Sequence, residues 1–199
     1  MLYAYSKQKV GRMRQSQASV ALQRASTRQW VLKPQDLAVA FKLVALHNHR
    51  MPYRDLAKQM FLSPFEVHAA AKRLVAARLA REDEKGVWPI LKILQPFVIY
   101  GAAYAYPAVR TDLTIGFPTA HGASPLNEQV MFANEFPPVW PHPEGPVRGS
   151  GILPLYANAP LAAKQDPALY QLLALFDALR IGQARERDMA SRLLEERMR

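Results

Sequence analysis

The clearest hydrophobic pattern spans residues 37–79, where apolar side chains recur every three or four positions in three separate runs. Two short breaks divide the runs, and each break holds a proline, Pro52 and Pro64. Ser63 and Glu66 flank Pro64 at the spacing of a capping box, which marks the start of a helix. The pattern therefore predicts three helices, the last of them over residues 64–79.

The second and third predicted helices are spaced as in a helix-turn-helix. A helix over residues 53–60 is followed by a three-residue turn and by a capped helix with alanines in its middle. A helix this slim suits the major groove of DNA, which is about 12 Å wide. The alternative is a plain three-helix core, whose outward Lys and Arg side chains form an ordinary solvated face.

On the third helix, Val67, Ala71 and Leu74 form the apolar face, so other positions turn outward. Phe65 would either meet a thymine methyl group or pack on Tyr53 or Phe61, and the pattern leaves both open. The predicted DNA contacts of the two helices are Arg54, Ser63, Phe65, His68, Lys72 and Arg73.

Residues 80–88 form a charged stretch with a single glycine between two apolar flanks, which favours a short β-hairpin. In a winged helix this hairpin is the wing, and its Arg81 and Lys85 would contact phosphates. Three acidic residues between them argue against deep insertion into a groove. A plain surface loop is the alternative.

Beyond the hairpin, residues 89–106 are strongly apolar, and we expect strand or loop to Gln95 and a helix from Pro96 to about Tyr106. Residues 107–165 hold most of the prolines, which excludes a regular helix, yet they are too apolar for a disordered linker. We predict an extended segment that wraps over the helical core, with a short helix near residues 126–134.

Helical periodicity returns at Asp166, which is placed to cap a helix that begins at Pro167. A leucine stripe starts at Leu169, Gly182 marks a break, and a second amphipathic run ends at Met198. The region 166–199 either closes the core or forms the interface of a homodimer, and the two roles are compatible.

Several motifs, taken in their order along the chain, resemble a poorly characterised bacterial family of winged helix-turn-helix, MarR-like transcriptional regulators. The resemblance covers residues 32–198 and implies DNA binding through residues 63–73, with no ligand or catalytic residue. The motifs that carry it are LKPQDLAVAFKLVAL, LSPFEVHAAAKRL, YGAAYAYP, GFPTAHGASPL, VWPHPEGPVRGSGILPLY and LYQLLALFDALRIGQARER.

Charge supports an acidic partner, because the 199-residue chain has a formal net charge of +10. Residues 1–29 contain six Lys and Arg and no acid, so we predict a disordered basic arm that touches phosphates; the alternative is an extension upstream of the true start. The chain has no cysteine, and no apolar run is long enough to span a membrane. These features fit a cytoplasmic protein.

No set of residues assembles a nucleophile with a base or a pair of carboxylates on one face, so we do not expect an enzyme. His47 and His49 fit a solvated helix end better than a metal site, and we expect no cofactor. The predicted architecture is mainly α with a small β-wing: a winged helix-turn-helix over residues 30–106, the proline-rich segment 107–165 and C-terminal helices over 166–199. The predicted function is a sequence-specific regulator that binds double-stranded DNA as a homodimer through helix 64–79. The alternative is an antitoxin-like module that binds a partner protein through its proline-rich and C-terminal segments.

Overall fold

Three helices and a hairpin begin the described part of the computed structural model, which covers residues 31–47, 49–129 and 136–199. The predicted basic arm, residues 1–29, lies outside these residues. The first elements are α1 (Pro34–Ala45), α2 (Tyr53–Met60), α3 (Pro64–Ala76), β1 (Ala80–Asp83) and β2 (Gly86–Pro89). They lie close to the predicted positions, but α3 ends three residues before residue 79. It ends there because Arg78 adopts a left-handed backbone conformation, φ +59°, which a helix cannot continue through.

The turn between α2 and α3 has the predicted length of three residues and the predicted cap. Phe61 takes the left-handed conformation (φ +51°), and the Leu62 amide donates to the Ala57 carbonyl at 3.0 Å. The Glu66 amide donates to Ser63 Oγ at 3.2 Å, while the Ser63 amide donates to Glu66 Oε2 at 2.8 Å. This reciprocal capping box fixes the start of α3.

The helix expected from Pro96 starts earlier. Helix α4 begins at Leu91 (Leu91–Phe97) and continues through a π-helical turn, Val98–Ala102, into a last turn, Ala103–Ala105. Pro96 therefore lies inside the helix. Burial accounts for the difference: Leu94 and Val98 are both 0% exposed, and only a helix that includes both brings them to one buried face. The π-helical turn begins at Val98, two positions after Pro96, which cannot donate a helical hydrogen bond.

The proline-rich region is not only an extended wrap, because it contains a small sheet of three strands: β3 (Arg110–Pro118), β4 (Pro138–Pro141) and β5 (Val147–Ile152). Strand β3 pairs antiparallel with both others, and β4 pairs parallel with β5. Gly116 permits the close pairing of β3 with β4, since a Cβ at this position would collide with the Trp140 carbonyl. The prediction of a short helix near 126–134 is met only by a 3₁₀ turn, Leu126–Glu128; residues 130–135 lie outside the described part.

The chain ends in three helices: α5 (Ala159–Gln165), α6 (Pro167–Ile181) and α7 (Ala184–Arg197). Asp166 caps α6 as predicted, accepting from the amides of Ala168 and Leu169 at 3.1 Å. Every residue from 172 to 179 is buried, and α6 packs on α1, whose residues 36–42 are also all buried. The leucine stripe of α6 therefore closes the core of its own chain and is not free for a second copy.

Residues of all three predicted regions share one hydrophobic core, and Leu32–Arg199 form one compact unit. Polar bonds between distant segments reinforce it. The Lys42 ammonium lies 2.6 Å from the Asp166 carboxylate, and the Tyr156 hydroxyl donates to the Met60 carbonyl at 2.9 Å. The described chain is thus mainly α with small β elements. None of its described helices is long and apolar enough to cross a membrane.

A buried carboxylate joins the sheet to α6. Asp177 accepts from the Thr119 hydroxyl at 2.7 Å and from the Trp140 indole N–H at 2.6 Å, and the Arg180 guanidinium lies 2.8 Å from its other oxygen. Burial raises the pKa of Asp177, and the three donors oppose that rise. The proline-rich region is therefore tied to the helical core by polar contacts as well as apolar ones.

Candidate nucleic-acid interface

The outward face of α3 is the first part of the candidate interface. Its inward side is fixed by Val67, Ala71 and Leu74, each at most 1% exposed, together with buried Ala70. At about 100° per residue, positions 65, 68 and 72 then turn away from the core. The predicted outward positions of Phe65, His68 and Lys72 agree with this arrangement.

Phe65 is the most exposed apolar side chain of this face, at 78%. This exposure leaves only a small part of the Phe65 side chain for packing on Tyr53 or Phe61. Because Phe65 lies in the first turn of α3, beside the cap, it stands at the end of the helix that a helix-turn-helix directs toward base edges. An exposed phenyl ring at this position is able to contact a thymine methyl group.

His68 and Lys72 are held by neighbours from two other elements. The His68 ring meets the Tyr53 ring edge-on, with 5.4 Å between centroids. Lys72 Nζ lies 2.7 Å from Glu82 Oε2 on the hairpin, and this hydrogen bond raises the pKa of Lys72. Burial raises the pKa of Tyr53, as does the Glu82 charge. The three elements α2, α3 and β1 therefore meet at this face.

The hairpin confirms the predicted β1–β2 pairing, with Arg81 opposite Trp88 and Asp83 opposite Gly86. Asp83 closes the turn: its carboxylate accepts from the amides of Lys85 and Gly86 and from the Trp88 indole N–H. These bonds, first among them that of the Trp88 indole, lower the pKa of Asp83. Gly86 has φ +143°, a conformation that other residues rarely adopt.

The two predicted wing cations are exposed. The Arg81 side chain is 66% exposed and lies 3.4 Å from Asp83, a weak surface pair that a phosphate can replace. The Lys85 side chain is exposed and unpaired in the described part of the chain. Arg54, in the first turn of α2, is exposed as well. All three cations are accessible, as a contact to a DNA backbone requires.

Ser63 has a structural role that limits its use in binding. Its hydroxyl donates to Glu66 Oε2 at 2.7 Å and accepts from the Glu66 amide. The bonds that the Ser63 amide and hydroxyl donate to the Glu66 carboxylate lower the pKa of Glu66. Ser63 positions α3, and only its remaining lone pair is available to a ligand.

Arg73 is a correction to the predicted set of DNA contacts. Its guanidinium turns toward α1, where Nε and Nη2 bind the two oxygens of Asp36 at 2.6 and 2.7 Å. Asp36 is 0% exposed and the Arg73 side chain only 12%. This bond raises the pKa of Arg73. Arg73 joins α3 to α1 and does not belong to the outward face.

The sequence analysis did not predict three contacts of this region: Arg73 with Asp36, His68 with Tyr53 and Lys72 with Glu82. Helical spacing gave a usable signal that Arg73 turns inward. Arg73 follows the buried Ala70 by three positions and so lies at the edge of the inward face. The Lys72–Glu82 pair depends on how the hairpin folds back over α3, which no local pattern specifies.

Comparisons of the chain with family models, with curated proteins and with solved structures found no match. The resemblance to MarR-like regulators consequently stays a prediction.

Proposed function

We propose that the protein is a sequence-specific DNA-binding transcriptional regulator of the winged helix-turn-helix type, with α3 as the helix that enters the major groove. The observation that carries this proposal is the outward face of α3. A helix fixed by a capping box after a three-residue turn presents Phe65, His68 and Lys72 to solvent. These side chains offer an apolar contact, a hydrogen-bonding ring and a cation, which are the chemical means of reading base edges.

In this proposal the surrounding cations position the protein without reading sequence. Arg54 precedes α3 in the chain, and Arg81 and Lys85 lie on the hairpin, which serves as the wing. Contacts to phosphates fix register and orientation. In the absence of DNA, the Glu82 carboxylate holds the Lys72 side chain between α3 and β1, with 2.7 Å between Lys72 Nζ and Glu82 Oε2. An exposed ion pair contributes little, so Lys72 exchanges Glu82 for a base or phosphate at small cost.

The test begins with selection of a bound sequence from a random duplex pool, followed by titration of that sequence. We expect the double substitution His68→Ala and Lys72→Ala to weaken specific binding by roughly 5- to 150-fold per lost base contact. Arg54→Ala should weaken all sequences about equally and reduce the salt slope by about 1. The matched control is Lys164→Ala, which removes one exposed cation from α5, distant in the chain from α3.

Circular dichroism establishes that each variant is folded. Unchanged specific affinity in the folded double variant would show that α3 is not the reading helix. If no sequence is enriched from the pool at low salt, the regulator proposal itself fails.

A second candidate is the antitoxin-like module that binds a partner protein. Exposed aliphatic side chains in the proline-rich region favour it: Leu113 is 46% exposed, Ile115 51% and Leu153 45%. Leu113 and Ile115 lie two positions apart on β3 and so share one face of the sheet. Substitution of both by Ser should abolish capture of a partner and leave DNA binding unchanged, which separates the two functions.

A further inference from the structure

Helix α4 has two apolar faces, and only one has a partner within the described residues. Leu94, Val98 and Ala102 are each 0% exposed and pack into the core. On the other side, Ile93 is 45% exposed, Tyr100 70% and Tyr104 83%. These three side chains face away from the core along the length of the helix, and we call them the α4 stripe.

The α4 stripe differs from the rest of the surface in charge. Lys92 is the one charged residue between Leu91 and Ala105, in a chain with a formal net charge of +10. A cationic chain repels its own copies at most of its surface. Two copies that meet at the α4 stripe therefore approach with little charge repulsion, and its neutrality gives it no attraction for phosphates.

The chemistry of the α4 stripe suits the centre of a protein interface. Interface centres are enriched in tyrosine and depleted of charge. Aromatic side chains bury roughly 150–250 Å² each, so Tyr100, Tyr104 and Ile93 together expose about 350 Å². A standard interface buries about 800 Å² on each partner, so this stripe supplies a little under half of it. Exposed Lys92, Pro96 and Ala105 lie beside it and supply a rim.

We propose that the α4 stripe is a homodimer contact, in which two copies of the chain pack their α4 helices against each other across a two-fold axis. A two-fold interface uses the same patch on both copies, and a neutral patch of rings is compatible with itself. Residues 1–30 fit the site less well, because they carry six cations and no apolar periodicity. The leucine stripe of α6, the other candidate for this role, is buried within its own chain. The proposal does not depend on DNA binding.

The absence of cysteine makes the contact directly measurable, because each introduced thiol is then the only one in the chain. Tyr100→Cys and Tyr104→Cys are prepared singly, and Phe65→Cys, at a position of similar exposure on α3, is the matched control. Under mild oxidation at low micromolar concentration without DNA, we expect a disulfide-linked dimer from at least one α4 variant. The Phe65→Cys chain should stay largely unlinked.

Sedimentation equilibrium gives the complementary measurement on the unaltered chain. We expect a mass of about 45 kDa, twice 22.4 kDa, and we expect Tyr100→Lys combined with Tyr104→Lys to weaken dimerisation by roughly 30-fold or more, the effect of losing one interface hot spot. A monomer at about 100 µM, or a dimer that survives the double substitution in a folded chain, would overturn the proposal. Should the double variant not fold, the cysteine variants decide: linkage no faster than in the Phe65→Cys control also overturns it.

Discussion

Replacing Arg73 should destabilise the fold, although Arg73 lies on the helix proposed to read DNA. The change Arg73→Met keeps the length of the side chain and removes its charge. Among the described residues, Asp36, which is 0% exposed, then keeps only the Lys33 amide as donor, at 2.8 Å. Leaving one member of a buried ion pair without its partner costs about 3–5 kcal/mol.

The hydrogen bonds of Arg73 give a second estimate of the lost stability, and it is of the same size. Two hydrogen bonds to a charged group are lost, at 2.6 and 2.7 Å, and each such bond contributes about 1.5–3 kcal/mol. A domain of this kind has a free energy of unfolding of about 5–15 kcal/mol, so the loss is a large fraction of the total. Replacing Asp36 by Leu in the same chain removes the stranded carboxylate and should restore part of the stability.

The assay is urea unfolding followed by circular dichroism. The matched control is Lys72→Met, one position earlier, where the ion pair with Glu82 is exposed and its loss should cost much less. A cost for Arg73→Met below about 1 kcal/mol, or no greater than that of the control, would contradict the assignment of Arg73 to the core. At a temperature where the variant stays folded, its base preference should equal that of the original chain.

Two further predictions concern the basic N-terminal residues and the acid sensitivity of the fold. Removal of residues 1–29 should leave the unfolding temperature unchanged and lower the salt slope of DNA binding, because fewer phosphates are neutralised; an unchanged slope would show that the arm does not touch DNA. Burial raises the pKa of Asp166, but the bonds from Lys42 and from the amides of α6 outweigh it, so the pKa is lowered overall. The stabilisation by this carboxylate is thus complete above the ordinary aspartate pKa of about 4 and is lost as the pH falls below it. Urea unfolding of Asp166→Asn should therefore show a large deficit at pH 7 that narrows at pH 3, and an equal deficit at both would refute this linkage.

Elements with local signals were predictable from the sequence. Ser63, Pro64 and Glu66 mark the start of α3, and Asp166 with Pro167 marks the start of α6, because caps and first-turn prolines act within a few residues. The hairpin β1–β2 was predictable because its signal, a charged stretch with a single glycine between apolar flanks, is also local.

Features that depend on distant contacts were not predictable. Pro96 has the local preference of a helix start, but burial of Leu94 extends α4 toward the N-terminus. Arg73 pairs with Asp36, 37 positions away, and this partner is invisible to a pattern of neighbours. The sheet β3–β4–β5 depends on pairing between segments such as Leu113 with Ser150, so proline content alone suggested an irregular segment.

The distance along the chain between Lys42 and Asp166 has a consequence during synthesis of the protein. Lys42 is 4% exposed in the finished protein, yet its partner is 124 positions further along. At a synthesis rate of about 5–20 residues per second, Asp166 follows after roughly 6–25 s. During that interval α1 lacks α6, the helix that covers it in the folded chain. The nascent chain therefore exposes the apolar face of α1 and the Lys42 ammonium until Asp166 and α6, more than a hundred positions later, are available to cover them.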